Sequence, residues 1–253
     1  NSPALSLDEQ TVFFGSGHDF QPSKKNGDGL YAIDVKTRKL KWRLFSKNGN
    51  QEFQGVSVAA DGKVYTRYHD WGTGNTFIVV DPETQKQFLL NGAPRFNWLW
   101  ASSMRGVVFG GNGKKINAHD VKSGTQQWSY LTKGNVQYGT IIDAENIVYV
   151  GSKDGIFYAI DGKNGSVVWK YQDDRVVSYS YSTSAIDNNG VLYTVAAQTY
   201  DKNGNPTNGM VIAIDKESGR KKWDFLLPAG AGVCAPIITS GGNIIIPAIG
   251  SIY

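Results

Sequence analysis

The feature that most constrains this chain is an internal repeat. The stretch Val148-Tyr149-Val150-Gly151-Ser152-Lys153-Asp154-Gly155-Ile156-Phe157-Tyr158-Ala159-Ile160-Asp161 runs on through Gly162-Lys163-Asn164-Gly165 to Trp169. It reads as a strand, a glycine turn, a strand closing on Asp, a tight turn and a strand carrying Trp. The same grammar returns in Leu30-Tyr31-Ala32-Ile33-Asp34 with Trp42, Ile116-Asn117-Ala118-His119-Asp120 with Trp128, and Val211-Ile212-Ala213-Ile214-Asp215 with Trp223. In these four copies the tryptophan follows the aspartate by eight residues. Phe77-Ile78-Val79-Val80-Asp81 is a degenerate copy, with Phe88 seven residues on. The aspartates step by 47, 39, 41 and 54 residues. A period of that size holding about four short strands is the signature of a β-propeller.

Each position has a local physical reason. An Asp at a strand end caps the following turn with its carboxylate, and Gly124, Gly165 and Gly219 supply the positive φ the turn needs. The Trp packs a large ring between neighbouring sheets. A further strand precedes each unit, as in Pro3-Ala4-Leu5-Ser6-Leu7 before Thr11–Gly15 and Pro236-Ile237-Ile238-Thr239-Ser240 before Asn243–Ile246. The sequence therefore predicts an all-β chain, a single β-propeller domain over residues 1–253 built from four-stranded antiparallel blades, with strands A to D in order. Five complete repeats fall at approximately 3–54, 55–98, 99–138, 139–182 and 183–235, and a partial sixth at 236–253. Tyr253 matches Tyr31 and Tyr158, each three residues before its Asp. This predicts either a cut inside a longer propeller or an abbreviated closing blade. Glycine, 30 of 253 residues against a usual ~7%, is the turn chemistry of the repeat.

Several function classes are excluded or weakened. Hydrophobic residues at 40% argue against a disordered tail and a membrane bundle. A net charge of +4, interspersed, does not mark a nucleic-acid binder. The single cysteine, Cys234, forbids an intrachain disulfide and a Cys-based zinc site, and reads as a small buried residue. No apolar run approaches the ~20 residues of a membrane span. The first residue is Asn1 rather than Met, which reads as a mature or trimmed product.

The V-Y-V-G-S-x-D-G, Y-A-I-D, x-G and W grammar resembles the pyrroloquinoline-quinone-like repeat of quinoprotein alcohol dehydrogenase-like propellers. The resemblance covers essentially the whole chain. It implies a propeller scaffold in a group that holds quinone- and calcium-dependent dehydrogenases as well as cofactor-free members, such as the lipoprotein scaffold of bacterial outer-membrane protein assembly. The dehydrogenases carry two adjacent cysteines and a longer chain, so one cysteine argues against pyrroloquinoline quinone. No calcium-binding set is placed by motif, and Asp34, Asp81, Asp120, Asp161 and Asp215 read as turn formers rather than catalysts. The resemblance thus implies a cofactor-free, non-enzymatic scaffold for a protein or glycan partner, extracytoplasmic in a bacterium, with further domains possible in the full-length protein. A fragment of a quinoprotein-like dehydrogenase or a polysaccharide-active propeller is the alternative, and a purely structural spacer module a third.

Blade connectivity puts the B–C and D–A loops on one face. They are long and aromatic, whereas the A–B turns Ala60–Lys63, Asp143–Asn146 and Asp187–Gly190 are plain hairpins. The B–C set includes Gly17-His18-Asp19-Phe20-Gln21-Pro22, Tyr68-His69-Asp70-Trp71 and Tyr200-Asp201-Lys202-Asn203. The candidate partner-binding residues are Trp71, Arg95, Trp98, Trp100, Tyr138, Arg175, Tyr179 and Tyr181. Aromatic rings beside arginine suit flat, amphipathic ligands such as a sugar ring or a peptide edge, and can equally plug a channel mouth. His18-Asp19 and His69-Asp70 read as loop hydrogen-bonders, and His119 as a packing variant in strand C. Asp201-Lys202-Asn203-Gly204-Asn205 begins like a calcium loop, but Pro206 stands where glycine is needed and Ile212 where the bidentate Glu is.

Overall fold

The computed structural model describes residues 3–16, 29–45, 51–59, 61–70, 74–89, 100–102, 106–136, 139–179, 184–203, 206–227, 235–239, 241–248 and 251–252. Among these residues there is no helix, and five four-stranded sheets follow one another along the chain. The first is β1 (Ala4–Leu5), β2 (Thr11–Gly15), β3 (Gly29–Asp34) and β4 (Leu40–Phe45); the second is β5 (Gln51–Val58), β6 (Val64–Asp70), β7 (Gly74–Val80) and β8 (Gln87–Leu89). The third is β9 (Trp100–Ser102), β10 (Val107–Asn112), β11 (Lys115–Asp120) and β12 (Gln126–Leu131). The fourth is β13 (Ile141–Ile142), β14 (Ile147–Gly151), β15 (Ile156–Asp161) and β16 (Val167–Gln172); the fifth is β17 (Ala185–Ile186), β18 (Val191–Tyr200), β19 (Pro206–Asp215) and β20 (Lys221–Leu227). Two short ladders follow, β21 (Ile237–Ile238) with β22 (Ile244–Ile245) and β23 (Pro247–Ala248) with β24 (Ser251–Ile252).

The chain divides into two compact units, residues 1–98, 102–108 and 119–126 in one and residues 99–101, 109–118 and 127–253 in the other. The first has a core of Phe13, Leu30, Ala32, Phe53, Val56, Val64, Ile78 and Val80. In the second, Tyr149, Phe157, Ala159, Trp169 and Tyr179 pack with Leu192, Met210, Ile212 and Ile214. Burial falls from the middle of a sheet to its outer edge. β14 and β15 are buried on both faces, so their sequences are nearly continuous apolar runs, whereas β16 alternates and exposes Val168, Lys170 and Gln172.

The alanine of the Y-A-I-D motif has a packing reason. Ala32 stands opposite Phe13 on one side and Trp42 on the other; Ala159 likewise faces Tyr149 and Trp169, and Ala213 faces Tyr193 and Trp223. A methyl group on the middle strand leaves room for the flanking rings to meet above it. Ring centroids are 5.7 Å apart for Phe13–Trp42 and Phe109–Trp128, and 5.8 Å for Tyr149–Trp169 and Tyr193–Trp223. These tilted pairs lie in the favourable range for aromatic contact.

The turn after each Asp is the same in all five sheets. The residue four positions on donates its N–H to the Asp carbonyl at 2.8–2.9 Å, and its φ is positive: 59° at Arg38, 58° at Gln85, 71° at Gly124, 76° at Gly165 and 69° at Gly219. The carboxylates of Asp34, Asp81, Asp120 and Asp215 accept the N–H of the residue three positions on at 2.7–2.9 Å, and Asp161 accepts that of Lys163 at 2.7 Å. The expected role of the three glycines holds. Arg38 and Gln85 carry the same left-handed conformation with a side chain attached, which costs an L-residue roughly 1–2 kcal/mol.

Two of these turns close a junction with the preceding sheet. The Trp128 indole N–H donates to the Gly162 carbonyl at 2.9 Å, and Gly165 lies so close to the ring that a Cβ there would stand 2.8 Å from Trp128 Cδ2. Trp169 repeats the arrangement one sheet later: its N–H donates to the Lys216 carbonyl at 2.9 Å, and a Cβ on Gly219 would stand 2.6 Å from its Cδ2. Lys216 also reaches back to Asp143 at 3.2 Å and Glu145 at 2.6 Å. Arg38→Gly and Gln85→Gly are each expected to raise stability by about 0.5–1 kcal/mol, the relieved strain exceeding the glycine entropy cost. Gly165→Ala should lower it by roughly 2 kcal/mol or more, because strain and ring overlap add. Urea unfolding midpoints at constant m-value check both signs.

Candidate binding face

The loops that leave one sheet and enter the next are seated by glycine. At Gly15 a Cβ would overlap the Phe53 carbonyl, at Gly111 the Val136 carbonyl, and at Gly151 the Tyr179 side chain. The crossing backbones are stitched down as well. Phe53 N–H donates to the Ser16 carbonyl at 3.2 Å, Val136 N–H to Gly113 at 2.7 Å and Tyr179 N–H to Ser152 at 3.1 Å, while Ser178 forms a bridge with Ala197. Only a residue without a Cβ lets two chains approach this closely. In the Val148–Gly155 motif the turn itself is made by Gly155, with φ 76°, and Gly151 serves the crossing.

Asp154 ties the same region together. Its carboxylate accepts the N–H of Lys133 at 3.0 Å and of Gly134 at 3.3 Å, and the Tyr158 hydroxyl at 2.8 Å. The B–C turn of the fourth sheet is thereby fastened to the loop that follows β12. Lys170 lies over the Tyr158 ring at 5.4 Å and the Tyr130 ring at 5.7 Å, a cation–π contact along the same edge.

Arg175 is engaged by its own protein. Its Nε and Nη2 donate to Asp173 at 2.9 and 2.8 Å, and its Nη1 and Nη2 donate to Asp224 at 3.0 and 3.1 Å. Lys221 adds a 2.6 Å contact to Asp224, and the Tyr171 hydroxyl donates to Asp173 at 3.2 Å. The hydrogen bonds from Arg175 hold the Asp173 and Asp224 carboxyls below the ordinary value. The guanidinium is half-exposed, so the cluster is a loop clamp of modest energy. Tyr179 is a core residue, 1% exposed, edge-on to Phe157 at 5.4 Å. Its hydroxyl has no hydrogen-bond partner among the described residues, and burial raises its pKa well above that of an ordinary phenol.

Trp100 is the first residue of β9. Trp71, Arg95, Trp98, Tyr138 and Tyr181 lie outside the described residues, as do His18, Asp19 and Cys234. Tyr68, His69 and Asp70 are strand rather than loop: β6 and β7 stay paired out to Asp70 opposite Gly74. Likewise β18 extends to Tyr200, paired with Pro206, because the pleated ladder continues past the buried portion of each sheet. His119 is buried in β11 with Nδ1 3.3 Å from the Gly124 carbonyl, and burial lowers its pKa. The Asp201 carboxylate accepts the N–H of Asn203 at 2.8 Å, and Pro206 opens β19. Among the described residues no three His, Cys, Asp or Glu side chains are grouped to hold a metal ion. Sequence reasoning missed Asp154, Asp173 and Asp224; the place of Asp154 in the Gly151–Gly155 turn segment was the one available signal, and only for the first.

A sequence profile of the family described as outer membrane protein assembly factor BamB matches residues 4–171 and again residues 111–247. The chain belongs to this family of PQQ-like repeat propellers. No curated protein sequence matches it. Among solved structures it resembles a chain of the mitotic checkpoint complex at 13% identity and TM-score 0.72, covering 98% of this chain and 69% of that one. A protein of unknown function from Bacteroides caccae aligns at 16% identity and TM-score 0.59, covering 94% and 86%. The computationally designed Ika8 protein aligns at 16% identity and TM-score 0.69, covering 98% and 69%. At these identities the likeness is one of fold. No helix among the described residues is long and apolar enough to cross a membrane.

Two outcomes follow. Tyr179→Phe removes a buried, unpartnered hydroxyl and should raise stability by about 1 kcal/mol, whereas Tyr179→Ala should cost about 3–5 kcal/mol; thermal and urea unfolding separate the two. Asp34, Asp81, Asp120, Asp173, Asp215 and Asp224 all titrate below the ordinary 3.8 through bonds that exist only in the folded chain. A depressed folded pKa means the unfolded chain binds the proton first. Stability should therefore fall first below about pH 6.5, where the unfolded His119 imidazole takes up a proton that the buried ring resists, and again below about pH 5 as pH drops toward the folded carboxylate values, which urea midpoints from pH 7 to pH 2 would show.

Proposed function

We propose that this protein is a non-enzymatic propeller scaffold that binds a protein partner through its B–C and D–A loops, in an extracytoplasmic, outer-membrane-associated or periplasmic setting in a bacterium. The observation that carries the reading is the seating of the D–A crossings. Val136 and Tyr179 are pinned by backbone bonds over Gly111 and Gly151. The candidate contact residues Tyr138 and Tyr181 each follow such an anchor by two residues. A loop whose base is already ordered loses less entropy on binding, which favours recognition of a partner surface. The family's description as an outer membrane protein assembly factor supports a protein partner and the compartment.

The roles of the acids also support a binding function. The repeat carboxylates accept hydrogen bonds from their own turns, and Asp173, Asp224 and Asp154 fasten loops. None of these stands free of hydrogen-bond partners, as a general acid or base poised for a substrate would. With Cys234 the only cysteine, the chain has no adjacent-cysteine pair to stack on a quinone, and no step through such a cofactor is proposed.

Immobilised protein should retain a partner from a bacterial cell-envelope extract, and the Trp98→Ala, Trp100→Ala, Tyr181→Ala triple variant should retain it at least ~10-fold less with an unchanged circular dichroism spectrum. Undiminished retention would sink this placement. Protein supplied with pyrroloquinoline quinone and Ca²⁺ should reduce no dye with alcohols or sugars; turnover would overturn the non-enzymatic reading.

A further inference from the structure

The junction between the first two sheets is built differently from those at Trp128 and Trp169. There, a Cβ on the turn glycine would stand 2.8 Å from the ring at Gly165 and 2.6 Å at Gly219. The same position in the second sheet, four residues after Asp81, is Gln85. A turn that carries a Cβ at this point cannot come down on the Trp42 ring as closely. Trp42 keeps its contact with Phe13, at 5.7 Å, and is partly buried against the core of the first unit. Trp128 and Trp169 each donate the indole N–H to the carbonyl of the residue after the repeat Asp. In the second sheet that residue is Pro82, and the Trp42 N–H has no acceptor among the described residues. The space left between the two sheets is an open cleft of about 520 Å³, walled by Phe13, Trp42 and Pro82 and edged by Asp8, Lys41 and Glu83.

The polar groups of the cleft are of both signs. Lys41 donates one ammonium hydrogen to Thr11 Oγ1 at 2.9 Å and has others to spare. Asp8 accepts the Ser6 hydroxyl at 2.5 Å and the Gln10 N–H at 3.1 Å, both on Oδ1. Among the described residues Asp8 Oδ2 and the Glu83 carboxylate have no partner. We propose that this cleft binds a neutral sugar ring. A hydroxyl both donates and accepts, so an edge that carries carboxylates beside an ammonium and an indole N–H serves it in both roles. A purely cationic or anionic ligand would instead meet a charge of its own sign. The C–H face of a pyranose ring lies on the aromatic wall, and its hydroxyls make their strongest bonds to the charged oxygens of Asp8 and Glu83. The volume falls within the range of small-molecule sites, roughly 300–1,000 Å³.

The cleft is bounded by the A–B turns of both sheets and by the turn after Asp81. These lie at the strand ends opposite to the B–C and D–A loops, so the site does not depend on the loop-face reading. Its origin is the degenerate second repeat. Where the later turns bring glycine and a free carbonyl to the ring, this one brings Gln85 and Pro82, and the ring keeps a face for something other than its own chain.

The whole 253-residue chain is labelled with 5-fluorotryptophan and titrated with the methyl glycosides of glucose, galactose, mannose and N-acetylglucosamine, and separately with choline. The Trp42 fluorine resonance is assigned by its loss in Trp42→Phe, and retention of the other six tryptophan resonances shows that this variant is folded. At least one glycoside should shift the Trp42 resonance saturably, with a Kd of about 10 mM or tighter. Asp8→Asn combined with Glu83→Gln keeps the shape of both side chains and should weaken that glycoside at least ~5-fold, with all seven resonances in place. No saturable shift by any of the glycosides, or equal affinity in the double variant, overturns the proposal. A saturable shift with choline alone also overturns it, assigning the cleft to an organic cation.

Discussion

The structure rests on what the strand-D tryptophan does. A four-stranded sheet buries its inner strands but cannot cover its own outer face, and the Trp ring covers that face by being shared. In β12 and β16 it leans on an aromatic ring of its own sheet and receives the next turn on its other side. The Asp turn supplies both things the ring needs from a neighbour, a carbonyl for the indole N–H and a position without Cβ. Burying such a ring is worth on the order of 2–3 kcal/mol, and leaving its N–H unpaired would forfeit much of that. The eight-residue spacing of Asp and Trp follows: one hairpin must present its turn to the sheet before it and its ring to the sheet after it.

A second constraint acts at the other end of the strands. Where the chain passes from one sheet to the next it lies directly on the end of strand B, and Gly15, Gly111 and Gly151 make room for it. These crossings turn the loops from tethers into seated segments. The charged residues of the region serve the same end. Arg175, set between Asp173 and Asp224, fastens the loop after β16 to β20, and Asp154 fastens the loop after β12 to the fourth sheet.

Much of this was legible in order of residues. The Asp capping, the positive φ at Gly124, Gly165 and Gly219, and the strand sequence A to D are all local, and they repeat, so coincidence is excluded. The left-handed backbone at Arg38 and Gln85 was not legible, because neither side chain favours it and only the turn geometry enforces it. Tyr68-His69-Asp70 read as loop because it is polar, yet the ladder runs on to Gly74. Gly151 looked like turn chemistry because a close crossing and a tight turn call for the same residue. Arg175 and Tyr179 have the side chains of ligand contacts. Arg175's acid partner Asp224 is 49 residues away, and Tyr179's packing partner Phe157 lies back on β15.

Strand periodicity, turn chemistry and the repeat are properties of neighbouring residues, so the amino-acid order alone established an all-β chain of PQQ-like repeats and the identity of its structural tryptophans. Which glycine carries a crossing chain, which arginine is already paired and which tryptophan stands uncovered depend on residues brought together from far apart. Trp128 finds Gly162 at a separation of 34, Trp169 finds Lys216 at 47, and Lys216 finds Asp143 at 73. Those separations vary with loop length while the contact stays the same. Packing of sheet on sheet therefore decided what no spacing along the chain could express.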